Sequence, residues 1–217
     1  MSSGATTYGI NVSEQAAVAG DRDSIGGWPL LDATQPWPVC GCGVQMALYF
    51  QVAVPADVPH FGGDQLLVFQ CPDESDASIA AEGQLPPEFW EKPPLNKLAF
   101  WRILLQRNGL PAHGEDPYLQ PRRLILTGYT GDSQSLPSFT VGGDPSWVQG
   151  PRYYRCACGE DLVFLCEVPE DFEFYEYVKE SVERTALDDG LMLGNSVYIL
   201  ACPAHCHPAA AFPVCQN

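Results

Sequence analysis

Apolar positions along this chain fall in short runs bounded by glycine, proline or acidic residues. WPLL (28–31), MALYFQVAV (46–54) and QLLVFQC (65–71) are of strand length and carry β-branched or aromatic side chains, the pattern of buried β-strands. YLQPRRLILTGYT (118–130) reads as a turn followed by a strand. One segment has a different period. In LNKLAFWRILLQRNG, apolar residues fall at 95, 98, 101, 104 and 105, Pro93 and Pro94 precede them and Gly109 follows, so the pattern predicts a helix over 95–108.

The runs also repeat. Residues 24–51 (SIGGWPLLDATQPWPVCGCGVQMALYFQ) align without a gap on 140–167 (TVGGDPSWVQGPRYYRCACGEDLVFLCE) at an offset of 116. Gly26-Gly27 falls on Gly142-Gly143, Cys40 on Cys156, Cys42 on Cys158, Gly43 on Gly159 and Gln51 on Glu167. A second block, 62–72 (GGDQLLVFQCP), falls on 193–203 (LGNSVYILACP) at an offset of 131, which places Cys71 on Cys202 and leaves about 15 additional residues inside the second copy. An internal repeat constrains architecture before any local feature does. The expected fold is mainly β, of α+β type: an internally duplicated, pseudo-symmetric β-rich fold with a connecting helix. Its expected parts are a loose N-terminal segment 1–23, a first repeat 24–72, a connector 73–138 carrying the helix, and a second repeat 139–217, both repeats packing as one globular unit. A half of about 50 residues buries too little surface to stand alone.

With 217 residues, 46% of them hydrophobic, the chain can bury a core, and its 20 prolines and 20 glycines favour turns and short strands over long helices. No stretch approaches the roughly 20 apolar residues of a membrane-spanning helix. The N-terminus lacks the basic start and apolar run of a signal peptide, so the expected location is cytoplasmic.

In a reducing compartment nine cysteines argue for metal ligation over a disulfide framework. Cys156-x-Cys158 and Cys202-x3-Cys206 form two close pairs far apart in sequence, the usual way a structural zinc staples two turns. Gly159 suits a tight turn in which backbone N–H groups support the thiolates. His205 and His207 flank Cys206, and either could replace a cysteine. In the first repeat Cys40, Cys42 and Cys71 are present, but Ser75 stands where Cys206 would fall. His60 or Asp73 could supply the fourth ligand, or this half has lost its metal. One or two structural zinc ions are therefore expected. Cys166 and Cys215 read as non-ligating thiols.

A formal charge of −16 disfavours nucleic acid, whose binding rests on cations displacing counterions, and favours a basic polypeptide. Residues 160–189 hold eleven Asp/Glu against Lys179 and Arg184. Glu170, Asp171, Glu173, Glu176, Glu180 and Glu183 are the candidate partner-binding positions. The aromatic neighbours in FEFYEY (172–177) either anchor a partner or, the preferred reading, pack on the core. His113-Gly114-Glu115 matches the H-x-E of zinc deaminases but lacks the following P-C-x-x-C, and is read as a polar loop.

The motif order Gly-Gly-x-Pro, Cys-x-Cys-Gly, apolar strand, then a strand ending in Cys-Pro resembles the YwqG-like family of bacterial proteins of unknown function. The second copy (VGGDPSWVQGP, CACGEDLVFLCEV, LGNSVYILACPAHC) carries most of the likeness. More distantly the chain resembles the zinc-binding repeats of the eukaryotic programmed cell death 2 proteins. The resemblance implies a duplicated β-rich fold, no established enzyme activity, and ligands at Cys156, Cys158, Cys202 and Cys206. It also implies a binding role, either as an immunity protein beside a toxin or as a chaperone shielding a basic client. The expectation is a non-enzymatic, acidic, zinc-binding protein whose partner is a basic protein, a toxin first. It binds neither nucleic acid nor a membrane. A metal-dependent hydrolase or deaminase is the minor alternative.

Overall fold

The computed structural model describes residues 6–76, 81–91, 100–112, 114, 117–129, 138–183 and 185–217. The first half of the chain supplies β1 (Thr7–Val12), β2 (Ser24–Ile25), β3 (Leu30–Leu31), β4 (Ala47–Ala53), β5 (Gln65–Gln70), β6 (Gly83–Gln84), a four-residue helix α1 (Glu88–Glu91), β7 (Trp101–Gln106) and β8 (Leu110–Pro111). The second supplies β9 (Arg122–Tyr129), β10 (Thr140–Gly142), β11 (Tyr154–Arg155), β12 (Val163–Val168), β13 (Ser196–Ala201) and β14 (Ala211–Gln216).

Ten of these strands form one antiparallel sheet in the order β14-β13-β12-β10-β1-β9-β2-β4-β5-β7. Two small sheets, β3–β8 and β6–β11, lie outside it. The ten-strand order is a palindrome about the β1–β9 pair. Ile10 lies opposite Leu126, its own counterpart at the repeat offset of 116, as a residue on a twofold axis must. Each half then crosses over: β1 pairs with β10 of the second half, and β9 with β2 of the first. The outer strands β7 and β14 return toward each other. Leu105 N donates to Pro208 O at 2.8 Å and the Trp101 and Phe212 rings meet edge-on at 5.9 Å, so the sheet is nearly closed.

The repeat extends to fine detail. β4 against β5 slips register between Leu48 and Phe50, and β12 against β13 slips at the equivalent place, between Phe164 and Cys166. The buried Gln51 side chain accepts from Leu30 N (3.0 Å) and donates to Trp28 O (2.9 Å), Ser24 Oγ (3.1 Å) and Asp21 O (3.2 Å). Its counterpart Glu167 accepts from Ser146 N, the counterpart of Leu30 N, at 3.1 Å, and from the Ser146 hydroxyl. In both halves one buried acceptor gathers the chain that follows the Gly-Gly turn.

Strands β5, β13 and β14 are buried along their whole length, so both faces of the sheet are covered there. Part of that cover is the 15-residue insertion of the second repeat. Its Phe174 is buried, packing edge-on against Tyr49 at 4.9 Å, and Phe139 bridges Phe50 and Phe172.

Three expectations are corrected. The helix expected over 95–108 does not form across its described part: 101–106 is β7, while 95–99 lie outside the described residues. The helical spacing of Trp101, Leu104 and Leu105 lost to burial on both faces, because Trp101, Ile103 and Leu104 are all buried between β5 and the seam with β14. The segment 1–23 is not loose throughout, since Thr7–Val12 is a central strand. Nor is 73–138 merely a connector: β7 and β9 are the counterparts of β14 and β1.

No helix among the described residues is long and apolar enough to cross a membrane, a statement about helices that leaves strands aside.

Replacing Gln51 with Leu leaves Leu30 N and the carbonyls of Trp28 and Asp21 without these partners. We expect Gln51→Leu to lose about 3 kcal/mol of stability, read from the midpoint of urea unfolding.

Candidate metal centres

Two clusters of metal-ligating side chains stand at equivalent places. Cys156, Cys158, Cys202 and Cys206 form one, and Cys40, Cys42, Cys71 and Glu74 the other; within each cluster the ligand atoms all lie within 4.8 Å of one another. The second repeat thus assembles the four cysteines that the sequence singles out. In the first, Cys40, Cys42 and Cys71 come together as expected, but the fourth position is Glu74, not His60 or Asp73. Cys40 Sγ lies 3.2 Å from Glu74 Oε2. His60 packs near Phe61 and takes no part in the cluster.

The local backbone explains the convergence. Cys40 N donates to Val44 O (2.8 Å) and Gly43 N to Cys40 O (2.9 Å); Cys156 N donates to Glu160 O (2.7 Å) and Gly159 N to Cys156 O (2.9 Å). This tight turn needs a left-handed residue, and Gly43 (φ 92°) and Gly159 (φ 101°) provide it without a Cβ penalty. The turn presents both sulfurs of Cys-x-Cys to the residues that follow the partner strand. Backbone N–H groups also point at the sulfurs: those of Asp73 and Glu74 at Cys71, that of Glu160 at Cys158, and those of Cys206 and Ala204 at Cys202.

Position in the hairpin shows what such a centre would do mechanically. Ala47 pairs with Gln70 at the start of β4 and the end of β5, and Val163 pairs with Ala201 at the corresponding end of β12–β13. Each cluster closes the open end of its hairpin, opposite the connecting loop, where strands would otherwise fray.

Burial raises the thiols of Cys40, Cys71, Cys202 and Cys206 above the ordinary cysteine range. Cys158 is lowered, chiefly because Glu160 N–H donates to its sulfur. Thiols lift no cost from a metal-free cluster by ionising, so a metal ion must displace their protons. Sulfur pairs lie at 3.3 Å (Cys156–Cys206) and 3.6 Å (Cys158–Cys202, Cys42–Cys71).

His205 and His207 are not ligands of the second cluster. His205 Nε2 instead meets Asp64 Oδ2 at 2.6 Å, and Asp64, buried, also accepts from Arg107 Nε at 2.7 Å. His207 Nδ1 accepts from Ala209 N at 3.0 Å. Cys166 and Cys215 are buried away from both clusters; burial lifts both thiols, Cys215 to about 12. His113 and Glu115 lie outside the described residues.

Glu170, Asp171, Glu173, Glu176, Glu180 and Glu183 are all exposed along the insertion. The Glu176 carboxyl is raised by a shared hydrogen bond with Glu173 and by that neighbour's charge. The aromatic residues between them do not all share that exposure. Phe174 is buried and Phe172 half-buried, so these two rings pack on the core, and anchoring of a partner through them is not available.

No family model matches the chain, and no curated protein matches it.

Proton displacement sets the sign of the pH dependence. Metal affinity should rise with pH across neutrality, by at least about two powers of ten per pH unit, because burial keeps two or more thiols protonated at each site until the metal displaces them, as read by competition against a chromophoric chelator.

Proposed function

We propose that this is a non-enzymatic, zinc-stapled binding protein whose acidic insertion captures a basic polypeptide. The observation that carries the reading is the exposure of six carboxylates along 170–183, on a segment held to the sheet by its buried Phe174. The donor sets favour zinc: thiolates with at most one carboxylate, in clusters that close on themselves. Four protein ligands suit a structural ion better than one that activates water.

In its most specific form, supported by the likeness to the YwqG-like family, the partner is a basic toxin and the protein its immunity factor. Neutralisation then proceeds by occlusion, with the acidic segment steering the encounter. A shielded basic client would engage the same segment.

Poly-L-lysine serves as a probe of the surface. Its affinity should fall roughly tenfold or more when salt is raised from about 0.05 to about 0.2 M. The variant with Glu173, Glu176, Glu180 and Glu183 all changed to Gln should bind it at least several-fold more weakly. Binding that ignores both salt and these substitutions overturns the reading.

A further inference from the structure

The two clusters are not equivalent, and the difference lies in one residue. In the second repeat the fourth ligand is Cys206, four residues after Cys202; in the first it is Glu74, three residues after Cys71. The longer carboxylate side chain makes up for the shorter spacing. The residue at the position of Cys206, Ser75, turns away to a long contact with Gln70 Nε2 at 3.4 Å. The residue at the position of Glu74, His205, turns away to Asp64.

These choices bear on strength. Zinc is borderline-soft, and a solvent-exposed carboxylate is both a harder and a better-hydrated ligand than a thiolate. Support around the ligands differs as well. The 202–206 turn is clamped by His205 to Asp64, a buried carboxylate itself paired with Arg107. The 71–75 turn is held instead by the long 3.4 Å Ser75–Gln70 contact and by Ala186 N donating to Pro72 O.

The first-repeat site also touches the segment that follows the acidic insertion. Ala186 N donates to Pro72 O at 2.7 Å, directly after Cys71. Gln70, directly before Cys71, accepts from Met192 N at 2.8 Å and donates to Gly190 O at 3.3 Å. The segment 186–192, which directly follows the acidic insertion, is therefore fastened to the chain on both sides of a first-repeat ligand.

We propose that Cys40, Cys42, Cys71 and Glu74 form an exchangeable zinc site, distinct from a permanent one at Cys156, Cys158, Cys202 and Cys206, and that its occupancy holds the acidic insertion in place. This rests on reading both clusters as zinc sites. Loss of zinc here loosens the 71–75 turn, and with it the anchors at Pro72 and Gln70, so that metal supply governs how the carboxylates of 170–183 are presented. The second site keeps its ion and the fold survives.

The test uses the purified, zinc-loaded full chain. A chromophoric chelator should withdraw one zinc per chain readily, with the other released only after the thiols are blocked by a mercurial; a separation of about a hundredfold is expected from the change of ligand and of its supporting contacts. Glu74→Gln, an exposed substitution, should abolish the readily lost zinc and leave the other, whereas Ser75→Cys should slow its release. Loading with cobalt should give thiolate-to-metal absorption for the first equivalent that exceeds that of the second, in line with four sulfurs against three. Hydrogen exchange across 170–192 should rise in step with removal of the first zinc. Two zinc ions released alike, or release unchanged in Glu74→Gln, overturns the exchangeable site. Exchange across 170–192 that ignores zinc removal overturns the coupling. Absence of bound zinc altogether overturns this proposal together with the zinc staple, while binding of poly-L-lysine is read separately.

Discussion

Antiparallel pairing of β1 with β9 is the constraint on which the rest of this molecule depends. Each of these strands belongs to one half in sequence and lies beside the second strand of the other half in space. The two halves are consequently interleaved at their centre. Unfastening them would expose both edges of the β1–β9 pair at once, leaving ladder N–H and C=O groups without partners. Opposition of Ile10 to Leu126 makes the pair self-complementary, so a single register serves both halves.

From that axis the strands run outward in the same order on both sides until β7 and β14 meet. The β4–β5 and β12–β13 hairpins are buried along most of their length, and their open ends are where an antiparallel pair is weakest. Both metal-ligating clusters occupy those ends. A metal ion held there would staple each hairpin at the point where its strands most readily separate. The repeat supplies two such ends, and they are chemically unequal because Glu74 stands in one cluster where Cys206 stands in the other.

The insertion in the second repeat turns this symmetric frame into an asymmetric one. Its buried Phe174 completes the cover over Tyr49, and the chain that follows it reaches the Cys71 turn of the first half through Ala186. The same segment shows carboxylates to solvent. Apolar residues hold it down, so the charged ones can be displayed close together despite their repulsion, a pattern suited to recognition more than to stability.

The sequence by itself determined the duplication, the strands around each Cys-x-Cys turn, the Cys156, Cys158, Cys202 and Cys206 set, and the acidic character of 170–183. All of these are local patterns or exact recurrences, legible because turn glycines, cysteine spacing and short apolar runs have direct backbone meaning. Tertiary structure alone decided the rest. Residues 101–106 carry a spacing that suits a helix, yet they are a strand, because β5 on one side and the seam with β14 on the other offered them burial on both faces. Thr7–Val12 is polar enough to read as a tail, but it lies at the centre of the sheet through its pairing with β9 and β10. Glu74 was invisible as a ligand, since an exposed glutamate three residues after a cysteine has no distinguishing pattern until the Cys40 turn is folded against it. His205 was drawn from the candidate ligands by Asp64, a residue 141 positions away that only the closed sheet brings within reach. Periodicity reports what a segment can form; which neighbour covers it, and which acceptor claims a polar side chain, depends on contacts between residues far apart in the chain.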